Sequence, residues 1–174
     1  MLRPLIFLDF DDVLAIDPYK NSAEGMFASR TGFIDDAAGL WRGSFHEPAR
    51  SNLLRLHDEF EPEYIITSSW TTFLSREQIS KILLLTNLKF VDRNLHYAWT
   101  TIREDNSYRL TEIDNWLKIN NTNEPRPYLI LDDDLNGQSL SGSHLEINSV
   151  LCEPWAGFTA VKLKLAQLIL RRQV

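Results

Sequence analysis

Short apolar runs and amphipathic segments alternate along the chain. Two of the runs, Leu5–Leu8 and Tyr128–Leu131, are typical of strands buried on both faces of a sheet. Tyr64–Ile66 is a third run, and Leu88–Val91 and Leu145–Cys152 are further strand candidates. The pattern therefore predicts a sheet of about five strands.

Four segments between and after these runs carry apolar residues at helical spacing. The first begins near Pro48 and ends before Pro62, and the second opens with the capping-box sequence Ser75–Gln78. The apolar positions of the four segments are Ala49, Leu53, Leu56 and Phe60; Ile79, Ile82 and Leu83; Leu110, Ile113, Trp116 and Leu117; and Val161, Leu165, Leu168 and Ile169. Strands separated by helices predict an α/β fold, with a Rossmann-like parallel sheet, helices on both faces and right-handed crossovers.

Two segments, 15–47 and 92–107, show no steady period. Residues 15–47 follow an acidic cluster directly, so they are a candidate flap or minimal cap over a site, which would make the cap small or absent. A packed surface insertion without contact to substrate is the alternative. The length of the chain predicts a single domain over residues 1–174.

Composition narrows the class of protein. The 174 residues are 44% hydrophobic and 24% charged, and a net charge of −6 gives no general attraction for nucleic acid, although a local basic patch would still allow binding. Cys152 is the lone cysteine, and the N-terminal apolar run is too short for a membrane span and is interrupted by Asp9. We therefore expect a cytoplasmic location, no membrane association and no obligate protein partner.

Candidate chemistry lies at the ends of three strands. Acidic residues follow the first strand at Asp9 and Asp11, hydroxyls follow the second at Thr67 and Ser68, and Asp132–Asp134 follow the fourth candidate run. The carboxyl ends of parallel strands meet at one edge of a sheet, where ligands bind. Clustered carboxylates need a cation, and Mg²⁺ prefers oxygen ligands of this kind. A solvated acidic turn is the alternative for the first cluster taken alone.

These residues resemble the signatures of the haloacid dehalogenase-like (HAD) hydrolase superfamily, whose members are mostly phosphatases. The first signature stands here as Asp9-Phe10-Asp11-Asp12-Val13-Leu14, with Asp12 where many relatives have glycine. Thr67 meets the second, with Ser68 as the alternate, and the pair Asp132-Asp133 meets the fourth. For the basic residue of the third we prefer Arg109, which can hold a phosphoryl group through two N–H groups, over Lys118.

The resemblance implies a mechanism and a metal. Asp9 would be the nucleophile that forms an aspartyl-phosphate, and Asp11 the general acid and then the general base. Thr67 and the basic residue would stabilise the phosphoryl group. Mg²⁺ would be held by Asp9, by the backbone carbonyl of Asp11 and by Asp133, which relatives favour over Asp132.

The run Thr67–Trp70 is also similar to phosphatase domains of nucleic-acid repair proteins, which implies a nucleotide or a nucleic-acid end as substrate. Ser68, Trp70 and Lys118 are then candidate substrate-binding residues. The tryptophans that could stack on a base are Trp70, Trp41 and Trp99, although a tryptophan in such a place more often belongs to the core. We expect Trp116 in the core and Trp155 under the final helix.

Two readings from other classes compete with a magnesium-dependent phosphomonoesterase. A phospho-receiver signalling domain also has acid after its first strand, but the order of its later residues differs. Here the hydroxyl of Thr67 comes before the second acidic cluster, whereas a receiver needs its phosphorylated aspartate earlier than the hydroxyl. A non-catalytic phosphate-binding module with the HAD-like fold is the other, and retention of both Asp9 and Asp11 argues against it.

Overall fold

The computed structural model describes residues 2–16, 39–103, 107–122 and 124–173. Within these residues five strands form one parallel sheet. The strands are β1 (Leu5–Leu8), β2 (Glu63–Ile66), β3 (Leu95–Thr100), β4 (Tyr128–Asp133) and β5 (Ser149–Cys152). Their order is β3-β2-β1-β4-β5, which confirms the predicted Rossmann-like α/β architecture.

The described helices alternate with the strands. They are α1 (Leu40–Ser44), α2 (Glu47–Phe60), α3 (Arg76–Leu85), α4 (Lys89–Arg93), α5 (Arg109–Asn120) and α6 (Ala160–Arg171). Short 3₁₀ helices span Ser69–Thr72, Asn136–Leu140 and Glu146–Asn148. The capping box at the start of α3 is confirmed, because Ser75 and Gln78 each bond the backbone N–H of the other.

Alternate residues of each central strand face opposite layers of the core. In β1, Ile6 and Leu8 belong to the cluster that also contains the buried residues of α2, α3 and α6. Leu5 and Phe7 face the other cluster, which contains Ile113 of α5. Because period-2 alternation sends both kinds of side chain into a covered layer, the central strands are apolar throughout. Helices lie on both faces, as predicted.

Two predicted features are wrong. In the run Leu88–Val91, Leu88 is the N-cap of α4 and the other three residues are helical. The third strand lies further along, within the stretch that showed no period. A four-residue apolar run does not distinguish a strand from a short buried helix, and here only Leu88 and Val91 are fully buried. Trp155 does not lie under α6, because 58% of it is exposed.

The predicted flap falls largely on residues 17–38, which lie outside the described residues. The two ends of the 15–47 segment are described, and they join: Ala15 pairs with Phe45 in an antiparallel bridge. Trp41 and Phe45 are buried in the core. In the part of the chain that the structure describes, no helix has the length and apolar character needed to cross a membrane.

Candidate active site

Three neighbouring strands end at the same level. In the sheet register, Leu8 of β1 pairs with Ile66 of β2 and with Leu131 of β4. The residues that follow are therefore level: the N–H of Asp9 donates to the carbonyl of Leu131 (3.0 Å), and that of Thr67 to the carbonyl of Leu8 (2.9 Å). The strand order reverses at β1 and β4, which is where open α/β sheets bind ligands.

Three carboxylates meet at this edge. Asp9, Asp132 and Asp133 are each at most 1% exposed, and one oxygen from each lies within 4.8 Å of the others. Asp133 is held by its own loop, because its Oδ1 accepts the N–H groups of Leu135 (2.7 Å) and Asn136 (3.0 Å) and its Oδ2 accepts Nδ2 of Asn136 (2.6 Å). The cluster is thus buried and fixed by the fold.

Arg109, at the first position of α5, is the cation of the cluster. Its Nε donates to Asp132 (2.5 Å), its Nη1 donates to Glu112 (2.9 Å) and its Nη2 lies 3.5 Å from Asp9 Oδ2. Two sides of the guanidinium are therefore engaged by protein carboxylates. We expected Arg109 to bind a phosphoryl group through two N–H groups. In this arrangement Nε and Nη1 already bond carboxylates, and Nη2 is the nitrogen that faces Asp9.

The protonation of the cluster follows from burial and crowding. Burial, followed by the charge of Asp132, raises the pKa of Asp9 well above its usual value, and Arg109 opposes the shift. Burial also raises the pKa of Asp132 to about 6, again against Arg109. Burial lowers the pKa of Arg109, but Asp132 and Asp9 outweigh it and raise that pKa overall. One arginine is too little positive charge for these acids.

Asp11 lies on the turn after β1 and is reached by a tryptophan. Its Oδ2 accepts the indole N–H of Trp70 at 3.1 Å. That indole is surrounded by rings, with centroid distances of 5.4 Å to Phe10, 5.6 Å to Trp41 and 5.9 Å to Phe45. Trp70 therefore holds the Asp11 side chain through this hydrogen bond, and its ring is partly buried among the three aromatic rings. A role for Trp70 in substrate binding stays a prediction.

The two hydroxyls after β2 are used differently. Ser68 is the N-cap of the 3₁₀ helix that begins at Ser69, and its Oγ accepts the N–H of Trp70 at 3.5 Å. The Oγ1 of Thr67 is buried and has no hydrogen-bond partner within the described ranges. Of the two, Thr67 is the one with a hydroxyl available to a ligand.

The sequence profile of one family, the HAD domain in Swiss Army Knife RNA repair proteins, matches residues 5–163. The chain belongs to this HAD domain family. Neither a curated protein nor a solved structure matches it. The match covers all five strands and every candidate residue discussed above.

The turn after β1 shows why many HAD domains have glycine where this chain has Asp12. Asp12 has a φ of 54°, a left-handed conformation that favours glycine. In this HAD domain the Oδ1 of Asp12 accepts the N–H of Trp155 at 3.2 Å, which joins the turn to the loop after β5.

The structure does not bring Lys118 to the acidic cluster. Lys118 lies nine residues after Arg109 on the same helix, about 13 Å along its axis, and it is exposed. The residue that the sequence interpretation missed is Glu112. It is 3% exposed and accepts Arg109 Nη1 and the hydroxyl of Ser107 (2.8 Å). Its i+3 spacing from Arg109 was the available signal.

The residues of this HAD domain fit a magnesium ion. HAD domains typically use Mg²⁺, and the donors here are hard carboxylate oxygens. The Oδ2 of Asp9 is buried and accepts no hydrogen bond from any described residue, so a coordination position is open where the cluster is most crowded. The fit rests on this oxygen, which lies 3.5 Å from Arg109 Nη2 but accepts no hydrogen bond, and on the three buried carboxylates that meet there.

Proposed function

We propose that this chain is a magnesium-dependent phosphomonoesterase that acts through an aspartyl-phosphate on nucleotides or nucleic-acid ends. The observation that carries the proposal is the convergence of Asp9, Arg109, Asp132 and Asp133 at the switch point of the sheet. The family match supports a phosphatase type of HAD domain, and its description as part of RNA repair proteins supports a phosphorylated RNA end as substrate.

In this proposal Asp9 attacks phosphorus in line with the ester oxygen. The carboxylate oxygen forms a bond to phosphorus as the bond from phosphorus to the ester oxygen breaks, and Asp11 gives that oxygen a proton. Asp11 then takes a proton from the water that attacks the aspartyl-phosphate, which releases phosphate and restores Asp9. Arg109 Nη2 and the Thr67 hydroxyl stabilise the phosphoryl oxygens.

Asp9, Asp133 and the backbone carbonyl of Asp11 would hold Mg²⁺, while Asp132 keeps Arg109 in place. The ion supplies positive charge between two anions that otherwise repel, the nucleophile and the phosphate. We assign Asp133 to the ion and Asp132 to Arg109 because the Nε of Arg109 donates to Asp132 and not to Asp133.

The decisive experiment is Asp9→Asn, assayed with magnesium on phenyl phosphate and on RNA oligonucleotides phosphorylated at the 3′ or the 5′ end. We expect phosphate release to fall by at least about 10³-fold, because an amide is a poor nucleophile. The folded state should be retained or stabilised, since the change removes one of several crowded negative charges. Asp134→Asn is the matched control, because Asp134 follows the cluster directly but is exposed.

Turnover by Asp9→Asn equal to that of the wild type would remove the proposal, and so would full activity in excess chelator. Absence of turnover in the wild-type protein on every phosphate ester tested would favour the non-catalytic module instead. The phospho-receiver alternative is disfavoured already, since the observed order β3-β2-β1-β4-β5 differs from the order 2-1-3-4-5 of receiver domains. The cytoplasmic location and the absence of an obligate partner stay predictions.

A further inference from the structure

A cavity of about 480 Å³ lies between β3 and α5, on the side of the sheet that carries Trp116. Its volume is in the range of small-molecule sites, roughly 300–1,000 Å³. Two isoleucines beside it, Ile102 and Ile119, are more than 70% exposed. Exposed apolar side chains grouped around a cavity mark a binding surface more often than isolated ones do.

One residue joins this cavity to the acidic cluster. Glu112 lines the cavity, and its Oε2 accepts Nη1 of Arg109, whose Nη2 faces Asp9. The side chains of Glu112 and Arg109 therefore link the wall of the cavity to the proposed nucleophile. The cavity also includes Ser107 and Thr111, which lie at the end of α5 nearest the carboxyl edge of the sheet.

The lining has the chemistry of a site for a flat, polar heterocycle. Ala98 and Trp116 supply apolar wall, and the hydroxyl of Thr111 and the amide of Asn115 supply donors and acceptors. Trp116 is held in place because its indole N–H donates to the carbonyl of Ala98 at 2.9 Å. Apolar walls with a few fixed polar groups give both affinity and orientation.

Two cations flank the cavity although the chain as a whole is acidic. Lys118 is exposed, lines the cavity and forms no ion pair within the described part of the chain. Arg103, next to Ile102, has a side chain that is 38% exposed, with its Nε 3.8 Å from Glu112. Phosphates attached to a ligand in the cavity would meet these charges, whereas the net charge of −6 gives no attraction elsewhere.

We propose that this cavity binds the nucleoside next to the phosphate that is removed, with Lys118 contacting a further phosphate of the strand. The inference rests on the proposed function, because it names the subsite that makes the phosphatase selective. In this proposal Lys118 contacts a phosphate further along the strand. This contact differs from binding the phosphoryl group that is removed, for which the sequence made Lys118 the alternative to Arg109.

The first test uses two variants of the full chain. Asn115→Trp places an indole in the cavity from the exposed face of α5, and Lys164→Trp is the control on the exposed face of α6. Binding is measured by fluorescence anisotropy with a labelled RNA oligonucleotide that lacks terminal phosphates, so that turnover does not interfere. We expect Asn115→Trp to raise Kd at least about tenfold and Lys164→Trp to leave it within twofold.

A second pair reverses charge instead of filling space. Lys118→Glu and Lys164→Glu change the net charge equally and both lie on exposed helix surfaces. We expect Lys118→Glu alone to weaken RNA binding about tenfold and to make it less dependent on salt. This pair keeps the proposal testable if the tryptophan variant fails to fold, which circular dichroism would reveal.

Kinetics separate the subsite from the phosphatase itself. In Asn115→Trp we expect the ratio of kcat/KM for phosphorylated RNA to kcat/KM for phenyl phosphate to fall at least about tenfold. Nucleoside 3′- and 5′-monophosphates form a second arm: an equal loss identifies free nucleotides as ligands, and a loss restricted to oligonucleotides identifies a strand.

An unchanged Kd and an unchanged ratio in both cavity variants would overturn the subsite while leaving the phosphatase standing. Loss of RNA binding in these variants, with no phosphate release by the wild-type protein, would overturn the phosphatase and leave the nucleoside site standing.

Discussion

Arg109 donates hydrogen bonds to Asp132 and Glu112 and lies 3.5 Å from Asp9, and only part of this arrangement could be predicted from the sequence. Its place at the start of a helix beside the sheet edge identified it as the cation of the site, and the structure puts it against Asp9 and Asp132. The burial of Glu112 was not predictable, because a glutamate on an amphipathic helix is usually solvated, although its i+3 spacing from Arg109 allowed an ion pair. Its burial becomes visible only when α5 is placed against β3.

The hydrogen bond from Trp70 to Asp11 leads to a prediction about catalysis. In Trp70→Phe the ring contacts remain but the N–H donor is lost, so the Asp11 carboxylate is no longer held in one orientation. We expect kcat on phenyl phosphate to fall about tenfold, the usual worth of a hydrogen bond to a charged group, with little change in KM.

Trp99→Phe is the control for this variant, since Trp99 also packs against the core but belongs to β3, whereas Trp70 is the tryptophan that bonds Asp11. If Trp70 served mainly as a stacking surface for substrate, the KM for RNA would rise instead and kcat would be kept.

Among the elements, β3 is the strand that the pattern of apolar residues did not predict. β3 is an edge strand, and of its six residues only His96 is buried. It lacks the continuous apolar run that identified β1 and β4, which have neighbours on both sides. The three strand ends that carry the candidate chemistry were predictable because two of them belong to these central strands and the third to their neighbour β2.

The loop after β5 is fitted closely to the turn after β1, which gives a test at Gly157. Its φ is +67°, and a Cβ there would lie 2.9 Å from the carbonyl oxygen of Val13 and 2.1 Å from Cδ1 of Ile16. Gly157→Ala should lower the free energy of unfolding by about 2–4 kcal/mol, from backbone strain plus overlap. It should also lower activity, because Val13 lies on the turn that carries Asp11.

Urea unfolding of Gly157→Ala and of Gly142→Ala separates the cost of backbone strain from the cost of steric overlap. Gly142 has a similar φ of +72° with nothing within 4 Å of a built Cβ, so only the backbone cost of about 1 kcal/mol applies. Equal decreases in the free energy of unfolding of the two variants would mean that an added methyl group at position 157 does not clash with the turn after β1.

His57 in α2 gives the molecule a dependence on pH that is separate from the acidic cluster. Burial, only partly offset by Asp58, lowers the pKa of His57 below 6.5, and its ring stacks on Tyr64 with a centroid distance of 5.9 Å. The unfolded chain therefore takes up the proton more readily than the folded chain. The contribution of His57 to the free energy of unfolding should be fully present above pH 6.5 and should be lost as the pH falls below that value.

Urea unfolding of the wild type and of His57→Gln, between about pH 5 and pH 7.5, isolates this contribution. The difference in free energy between the two proteins should change across this window. A difference that is independent of pH would contradict the assignment to His57.

The molecule as a whole is a sheet whose chemistry collects at one edge, and its stability should depend on the ion at that edge. Because Mg²⁺ would bind only where Asp9 and Asp133 are brought together, it should stabilise the folded state by about 2.7 kcal/mol at a hundredfold excess over Kd. Thermal unfolding with and without magnesium measures this. Asp133→Asn should abolish the increase in Tm, and the exposed Asp134→Asn should retain it.

The fold class was predictable from the order of the apolar runs. The sheet edge that holds the candidate site was predictable from the polar residues that follow each run. The contacts that hold the candidate site together were not predictable, because they join residues far apart in the chain. Trp70 reaches Asp11 across 59 positions, and Trp155 reaches Asp12 across 143. No periodicity within one segment encodes such pairs.

The bond between Asp12 and Trp155 has a consequence for how such chains diverge. A relative with glycine at the equivalent of position 12 gains a relaxed backbone but has no acceptor for the amide at the equivalent of position 155. The two sites should therefore exchange residues together over evolutionary time, and an alignment in which they drift independently would show that the bond carries no selective weight.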